Sequence, residues 1–148
     1  TVGTLYAWAL FLIFQELVDE STLITLVALA MLLGVWLCGK VGEEIGVPDH
    51  SGIVWDEFVA YWLILLIISP AGIGLQVMAF LLFRFFDAVK PEPIRSIDRF
   101  FKTWQPSVEE VGKSKPVPAW LVRGFGVMID DIAAAIATLM VIAIGVRL

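Results

Sequence analysis

Leu23-Ile24-Thr25-Leu26-Val27-Ala28-Leu29-Ala30-Met31-Leu32-Leu33-Gly34-Val35-Trp36-Leu37-Cys38 is the longest clean apolar run in the chain. The solvated Gly39-Lys40-Val41-Gly42-Glu43-Glu44 follows it at once. Four further runs have the same character: Leu5–Phe14, Ile53–Ser69, Ile73–Phe86 and Ile132–Val146. Pro and Gly stand between them, where chain reversals belong, as in Ser69-Pro70-Ala71-Gly72. The pattern predicts an all-α fold: a membrane-embedded bundle of about five short hydrophobic helices, with its polar residues at one interface. Composition agrees, since 59% of the 148 residues are hydrophobic, only 17% are charged and mean hydropathy is +0.90. A soluble domain is about half apolar. The competing reading is a soluble oligomer with buried helices, because no run reaches the ~18 residues that mark a span. Runs of 14 to 16 residues cover only ~21–24 Å of a ~30 Å hydrocarbon core. Trp36, Trp55 and Trp62 are therefore expected toward the interface, with local thinning supplying the remainder.

The charges are segregated along the chain. Alternating the five spans puts residues 15–22 and 69–74 on one side, and residues 39–57 and 84–131 on the other. The first side carries Glu16, Asp19 and Glu20 and no Lys or Arg. The second carries Lys40, Arg84, Lys90, Arg95, Arg99, Lys102, Lys113, Lys115 and Arg123, with Arg147 left at the far terminus. By the positive-inside rule the second side is cytoplasmic. A net charge of −5 gives no reason to expect a nucleic-acid partner. The single cysteine, Cys38, excludes an internal disulfide. A Cys-x5-Arg phosphatase loop is excluded too, because Glu44 stands where the Arg belongs. Residues 1–148 read as one domain in which 101–119 form a polar excursion. The opening Thr1-Val2-Gly3-Thr4 has neither Met nor a basic n-region, so further residues are expected upstream.

Three polar clusters converge on the cytoplasmic side. Asp49-His50-Ser51-Gly52-Ile53-Val54-Trp55-Asp56-Glu57 leads into one helix, and Asp130-Asp131 is expected to open the last helix after Gly124-Phe125-Gly126. The helix dipole favours a carboxylate in the first turn by ~0.3–1 kcal/mol, which accounts for either acid of a pair alone. Neighbours on a helix point ~100° apart, so one acid of each pair can bind a cation while the other meets Arg or Lys. Two such pairs from separate helices repel each other unless a cation lies between them. Clustered oxygen ligands without Cys or several His favour Mg²⁺ or Mn²⁺ over zinc. The third cluster runs from Arg84 to Arg99. Arg84 and Asp87 are i,i+3 neighbours that a salt bridge explains. Pro91 and Pro93 then stiffen a segment presenting Lys90, Arg95 and Arg99 together. Inside-positive anchoring explains any one of these cations; as a set they read as a cradle for a doubly charged phosphate. His50, the only histidine, is either a solvated side chain or a proton carrier or phosphate contact.

These clusters, in this order, resemble the phosphatidylglycerophosphatase A family of bacterial membranes. The matching residues are Asp49-His50, Ile53-Val54-Trp55-Asp56-Glu57-Phe58, Phe83-Arg84-Phe85-Phe86-Asp87, and Lys90-Pro91 with Pro93-Ile94. Ile97-Asp98-Arg99 and Gly124-Phe125-Gly126-Val127-Met128-Ile129-Asp130-Asp131 complete them. Thr1-Val2-Gly3-Thr4 is similar to the end of the family's Gly/Pro-rich first motif, which is truncated here, and the stretch from Arg99 to Gly124 is longer than the family pattern. The resemblance implies a multi-pass bacterial inner-membrane enzyme with its site facing the cytoplasm. Its reaction would be Mg²⁺-dependent removal of the terminal phosphate of phosphatidylglycerophosphate, giving phosphatidylglycerol. On that reading Asp56, Glu57, Asp130 and Asp131 hold the metal, with Asp87 joining directly or through water. Arg84, Lys90, Arg95 and Arg99 hold the phosphomonoester. Asp49 or His50 takes the proton of the attacking water or protonates the leaving oxygen. Membrane lipids surround the protein, and a homo-oligomer is left open.

Two other lipid-phosphatase chemistries do not fit. One His cannot supply a two-histidine arrangement, and no Asp-x-Asp motif is present for an aspartyl-phosphate enzyme. The rival from another class is a small membrane cation transporter or channel subunit, with acids at helix ends ringing an ion path. It calls for polar residues deeper in the helices, where only Thr25, Gln76 and Thr138 stand.

Overall fold

Every apolar run becomes a helix. The computed structural model describes residues 1–45, 54–92, 95–96, 99–100 and 118–147. Five long helices lie among the described residues, and no strand: α1 Val2–Leu17, α2 Glu20–Ile45, α3 Trp55–Ile68, α4 Ile73–Val89 and α5 Ala119–Arg147. Two of them are longer than the sequence suggests. Helix α2 runs through Gly39-Lys40-Val41-Gly42-Glu43-Glu44 without breaking, for 26 residues. Helix α5 has 29 residues and starts well before Ile132. The physical reason is close packing between the two. A Cβ on Gly124 would lie 2.8 Å from the Val35 carbonyl carbon and 2.9 Å from Gly39 N; one on Gly39 would lie 2.9 Å from the Trp120 carbonyl carbon. The glycines that read as breaks are the points where two backbones touch.

Short connections join α1 to α2 and α3 to α4. Helix α2 starts on Asp19, whose carboxylate accepts from the Thr22 N–H at 3.1 Å, from Thr22 Oγ1 at 2.6 Å and from the Ser21 hydroxyl. These bonds hold the exposed Asp19 carboxyl well below its usual range. After the 69–72 turn, Gln76 Nε2 donates to the Ala71 carbonyl at 2.9 Å. Helix α4 ends at Lys90, which is in the left-handed region at φ 45°.

Helices α1, α3 and α4 pack through aromatic rings. Phe11, Tyr61 and Phe83 are fully buried beside Ala7, Ala60 and Ala79, small residues that let the helices approach. Trp62 donates its indole N–H to the Ala7 carbonyl at 2.7 Å, and Trp55 donates to the Ala30 carbonyl at 2.9 Å. Those two rings therefore serve helix packing rather than the interface expected of them; Trp36 alone of the three is exposed. Thr25 and Thr138 donate to the Ser21 and Ala134 carbonyls of their own helices, and Gln76 also accepts from Trp8 Nε1 at 2.7 Å. None of the three is directed into an ion path.

Large apolar side chains are exposed on every helix, among them Ile13, Leu32, Ile67, Leu81 and Met140. Residues Glu20–Val41 and Trp120–Gly145 form two stretches long and apolar enough to cross a membrane.

Candidate active site

The start of α1, the start of α3 and the end of α4 meet at one level, and α5 passes them in mid-course. That meeting assembles the polar residues. Asp56 and Glu57 occupy the first turn of α3. Asp56 Oδ1 accepts the Glu57 N–H at 2.9 Å, and its side chain is only 8% exposed. Glu57 Oε1 lies 3.0 Å from Arg84 Nη1, and the same nitrogen is 2.6 Å from Asp87 Oδ2. Arg84 is thus held by ion pairs between carboxylates of two helices, Glu57 on α3 and Asp87 on α4. Lys90, one residue beyond α4, reaches across to Asp130.

Asp130 and Asp131 do not open α5. They lie about eleven residues, or ~16 Å, along it from Ala119. Capping of the helix dipole, which fades beyond the first turn, cannot explain them. Both are buried, at 7% and 5% exposure. Asp130 has Lys90 as its cation. Asp131 Oδ2 is buried with no hydrogen-bond partner among the described residues, and the charges of Asp56, Asp87, Asp130 and Glu57 all act on this carboxyl. Acids from three helices thus lie within electrostatic reach of one another.

Of the residues expected at the site, Asp56, Glu57, Arg84, Asp87, Lys90, Asp130 and Asp131 are brought together. Arg95 and Arg99 are exposed and outside this buried set, and Arg99 pairs with Glu92 at 3.4 Å. Asp49 and His50 lie outside the described residues. One participant was not expected. Thr4, fully buried on α1, donates its hydroxyl to Glu57 Oε2 at 2.8 Å. The available signal was a hydroxyl standing in the helical stripe Thr4, Ala7, Phe11.

The donors suit a hard divalent cation, being carboxylate oxygens throughout, one of them buried without a donor. Among the described residues no three His, Cys, Asp or Glu side chains converge tightly enough to enclose an ion.

Comparison with known proteins bears on this geometry. A family model described as phosphatidylglycerophosphatase A matches residues 1–108. The chain is 37% identical over 142 residues to a Haemophilus influenzae protein named phosphatidylglycerophosphatase A, covering 96% of this chain and 75% of that one. It is 34% identical over 110 residues to an Escherichia coli protein of the same name, covering 74% of this chain and 52% of that one. A Bacteroides thetaiotaomicron protein provisionally named a phosphatidylinositol-3-phosphatase is 29% identical over 150 residues, covering 97% and 80%. No solved structure matches the chain. With the family model covering most of its length and two relatives above one-third identity, the chain belongs to the phosphatidylglycerophosphatase A family and is a phosphatase.

Proposed function

We propose that the protein hydrolyses phosphatidylglycerophosphate to phosphatidylglycerol, with Mg²⁺, at the cytoplasmic face of a bacterial inner membrane. The observation that carries the reading is the buried Oδ2 of Asp131, which has no hydrogen-bond partner among the described residues and lies near other acids, with Arg84 and Lys90 beside them. Formal charge makes the same case. Asp56, Glu57, Asp87, Asp130 and Asp131 outnumber Arg84 and Lys90 among the described residues of the site, five acids to two cations. A phosphomonoester carries about −1.5 to −2 at neutral pH and is disfavoured beside an acidic excess. A divalent cation would cut that excess from three charges to one and present a positive centre to the phosphate.

Asp56 and Asp131 are assigned as its holders, with Asp130 shared between the ion and Lys90, and Glu57 between the ion and Arg84. The chemistry supplied by the ion when bound is polarisation of the phosphoryl oxygens and activation of water. Arg84, kept in place by Glu57 and Asp87, directs its N–H groups at the phosphate and balances charge that develops in the transition state. Lys90 moves from Asp130 to a phosphate oxygen. Asp49 or His50 handles the proton, taking it from water as the P–O bond forms or giving it to the glycerol oxygen as that bond breaks. The excess of cationic residues on one side sets the orientation. Only 28% and 44% of the two long apolar stretches is buried within the protein, which leaves most of their surface for lipid.

The test is phosphate release by the full-length protein from phosphatidylglycerophosphate in mixed micelles, with and without Mg²⁺, and with phosphatidylinositol 3-phosphate in a parallel arm. Asp131→Asn and Asp56→Asn are each expected to lower turnover at least about a hundredfold while the protein stays folded. Full turnover in both variants would remove the metal assignment. Faster hydrolysis of the inositol lipid would replace the substrate.

A further inference from the structure

We infer that Thr4 is a positioning residue, which sets Arg84 for the phosphate by fixing Glu57. The inference rests on the lipid-phosphatase reading above. Thr4 sits fully buried on the first turn of α1. Thr25 and Thr138 satisfy their hydroxyls on their own helices at 2.8 and 2.9 Å. Thr4 instead donates across to a carboxylate on another helix, Glu57 Oε2, at 2.8 Å. With Oε2 pinned from α1, Oε1 is left facing Arg84 Nη1 at 3.0 Å. The order of control runs from α1 through α3 to α4.

A long carboxylate in the first turn of a helix has several rotamers open to it, and only a subset places an oxygen before Arg84. The Thr4 hydroxyl selects among them. Packing at this point is close. A Cβ on Gly3 would lie 2.5 Å from Val54 Cγ1 and 3.0 Å from Val54 Cβ, so the α1 backbone beside Thr4 rests directly on the Val54 side chain. Were space filling the whole of its role, Val would serve better, since it has the same shape and no polar group to bury.

The experiment compares Thr4→Val and Thr4→Ser in the full-length protein, by kcat and KM for phosphatidylglycerophosphate with Mg²⁺ and by melting temperature. Thr4→Val is expected to lower kcat about tenfold with KM changed less than about twofold, because Arg84 acts on charge present only in the transition state. Thr4→Ser, which keeps the hydroxyl, is expected within about twofold of wild type. Unchanged kcat in Thr4→Val overturns the inference, as does equal loss in both variants, which assigns the effect to packing. A wild-type protein that releases no phosphate points to failure of the lipid-phosphatase reading instead. In that case melting temperatures of Thr4→Val with and without Glu57→Ala decide. The Thr4 effect is expected to vanish when Glu57 is gone, and equal losses in both backgrounds overturn the inference.

Discussion

Replacing Gly124 with Ala adds one methyl group where α2 and α5 touch, and the structure fixes its consequence. The new Cβ would stand 2.8 Å from the Val35 carbonyl carbon and 2.9 Å from Gly39 N, and closer still to the Val35 carbonyl oxygen, against 3.4 Å or more for an ordinary contact. All three obstacles are backbone, so no side chain can turn away. The helices must separate by more than about 1 Å, and overpacking of that kind costs about 1–3 kcal/mol or more. Ala gains up to ~1 kcal/mol of helix propensity over Gly, which offsets part of the cost. Activity should suffer more than stability. Asp131 lies two turns further along α5, so a rigid displacement of the helix moves it relative to Asp56 by a comparable distance. A misplacement near 1 Å at reacting groups costs about a hundredfold in rate. Gly145→Ala, where no atom lies within 4 Å of the added Cβ, is the control and is expected to be neutral or slightly stabilising. Gly34→Ala should fall between them, since its neighbours are side chains rather than backbone: the flexible Met128 Sδ at 2.8 Å and Cε at 2.9 Å, and the Trp55 ring at 2.9 Å. Thermal unfolding in detergent and phosphate release read the series. Gly124→Ala behaving like Gly145→Ala would refute the backbone contact. Lost stability with full turnover would refute the rigid link between that contact and the carboxylates.

Two further outcomes can be checked in the same assays. Lys90→Met removes the cation that Asp130 faces in a largely buried setting and is expected to destabilise by on the order of 3 kcal/mol; adding Asp130→Asn should restore most of the melting temperature but not turnover, and a double variant as unstable as the single one would argue against the pair. The Asp19 carboxyl is depressed by its bonds to Ser21 and Thr22, so its contribution is fully present above the unfolded value of about 3.9 and is lost as pH falls through the folded value. The stability gap between wild type and Asp19→Ala should thus be flat near neutral pH and shrink below about pH 4; a gap that widens with acid would contradict the cap.

The helical content and the short connections were legible because apolar runs and Pro/Gly punctuation carry them directly. Ser69-Pro70-Ala71-Gly72 reads as a break between helices and is the bent connection from α3 to α4. Punctuation misleads at Gly39 and at Gly124-Phe125-Gly126, where glycine serves close approach between helices. A single sequence does not distinguish the two uses, because the difference lies in a partner helix about eighty residues away. The same ambiguity misplaced Asp130 and Asp131 at a helix start. The acids, Arg84 and Lys90 were legible as a set, since so apolar a chain retains few charges between its runs. Trp55 and Trp62 show the converse. An indole suits an interface and a core equally well, and the Ala30 and Ala7 carbonyls that receive their N–H groups are evident only once the helices are packed.

Helix lengths bear on how a lipid phosphate reaches buried carboxylates. Helices α3 and α4 have 14 and 17 residues, or ~21–26 Å each, and they begin or end at the level of Glu57, Arg84 and Asp130. Helices α2 and α5, with 26 and 29 residues, are ~39 and ~44 Å long. Beyond the acids they still expose Leu32, Leu33, Trp36 and Phe125, while Lys40 lies over the Trp120 ring nearer their ends. The acids therefore sit on a step, at the ends of two short helices and partway up a wall made of two long ones. In a bilayer with a ~30 Å core, short helices draw the surface inward and long ones tilt or protrude. Thinning beside α3 and α4 lowers head groups toward the step. Under the proposed reading, the phosphate of a lipid arriving from that side meets Arg84 and Lys90 with its acyl chains still in hydrocarbon. The mismatch in helix length then brings the substrate to the site, and no carboxylate has to stand at the outer surface of the membrane.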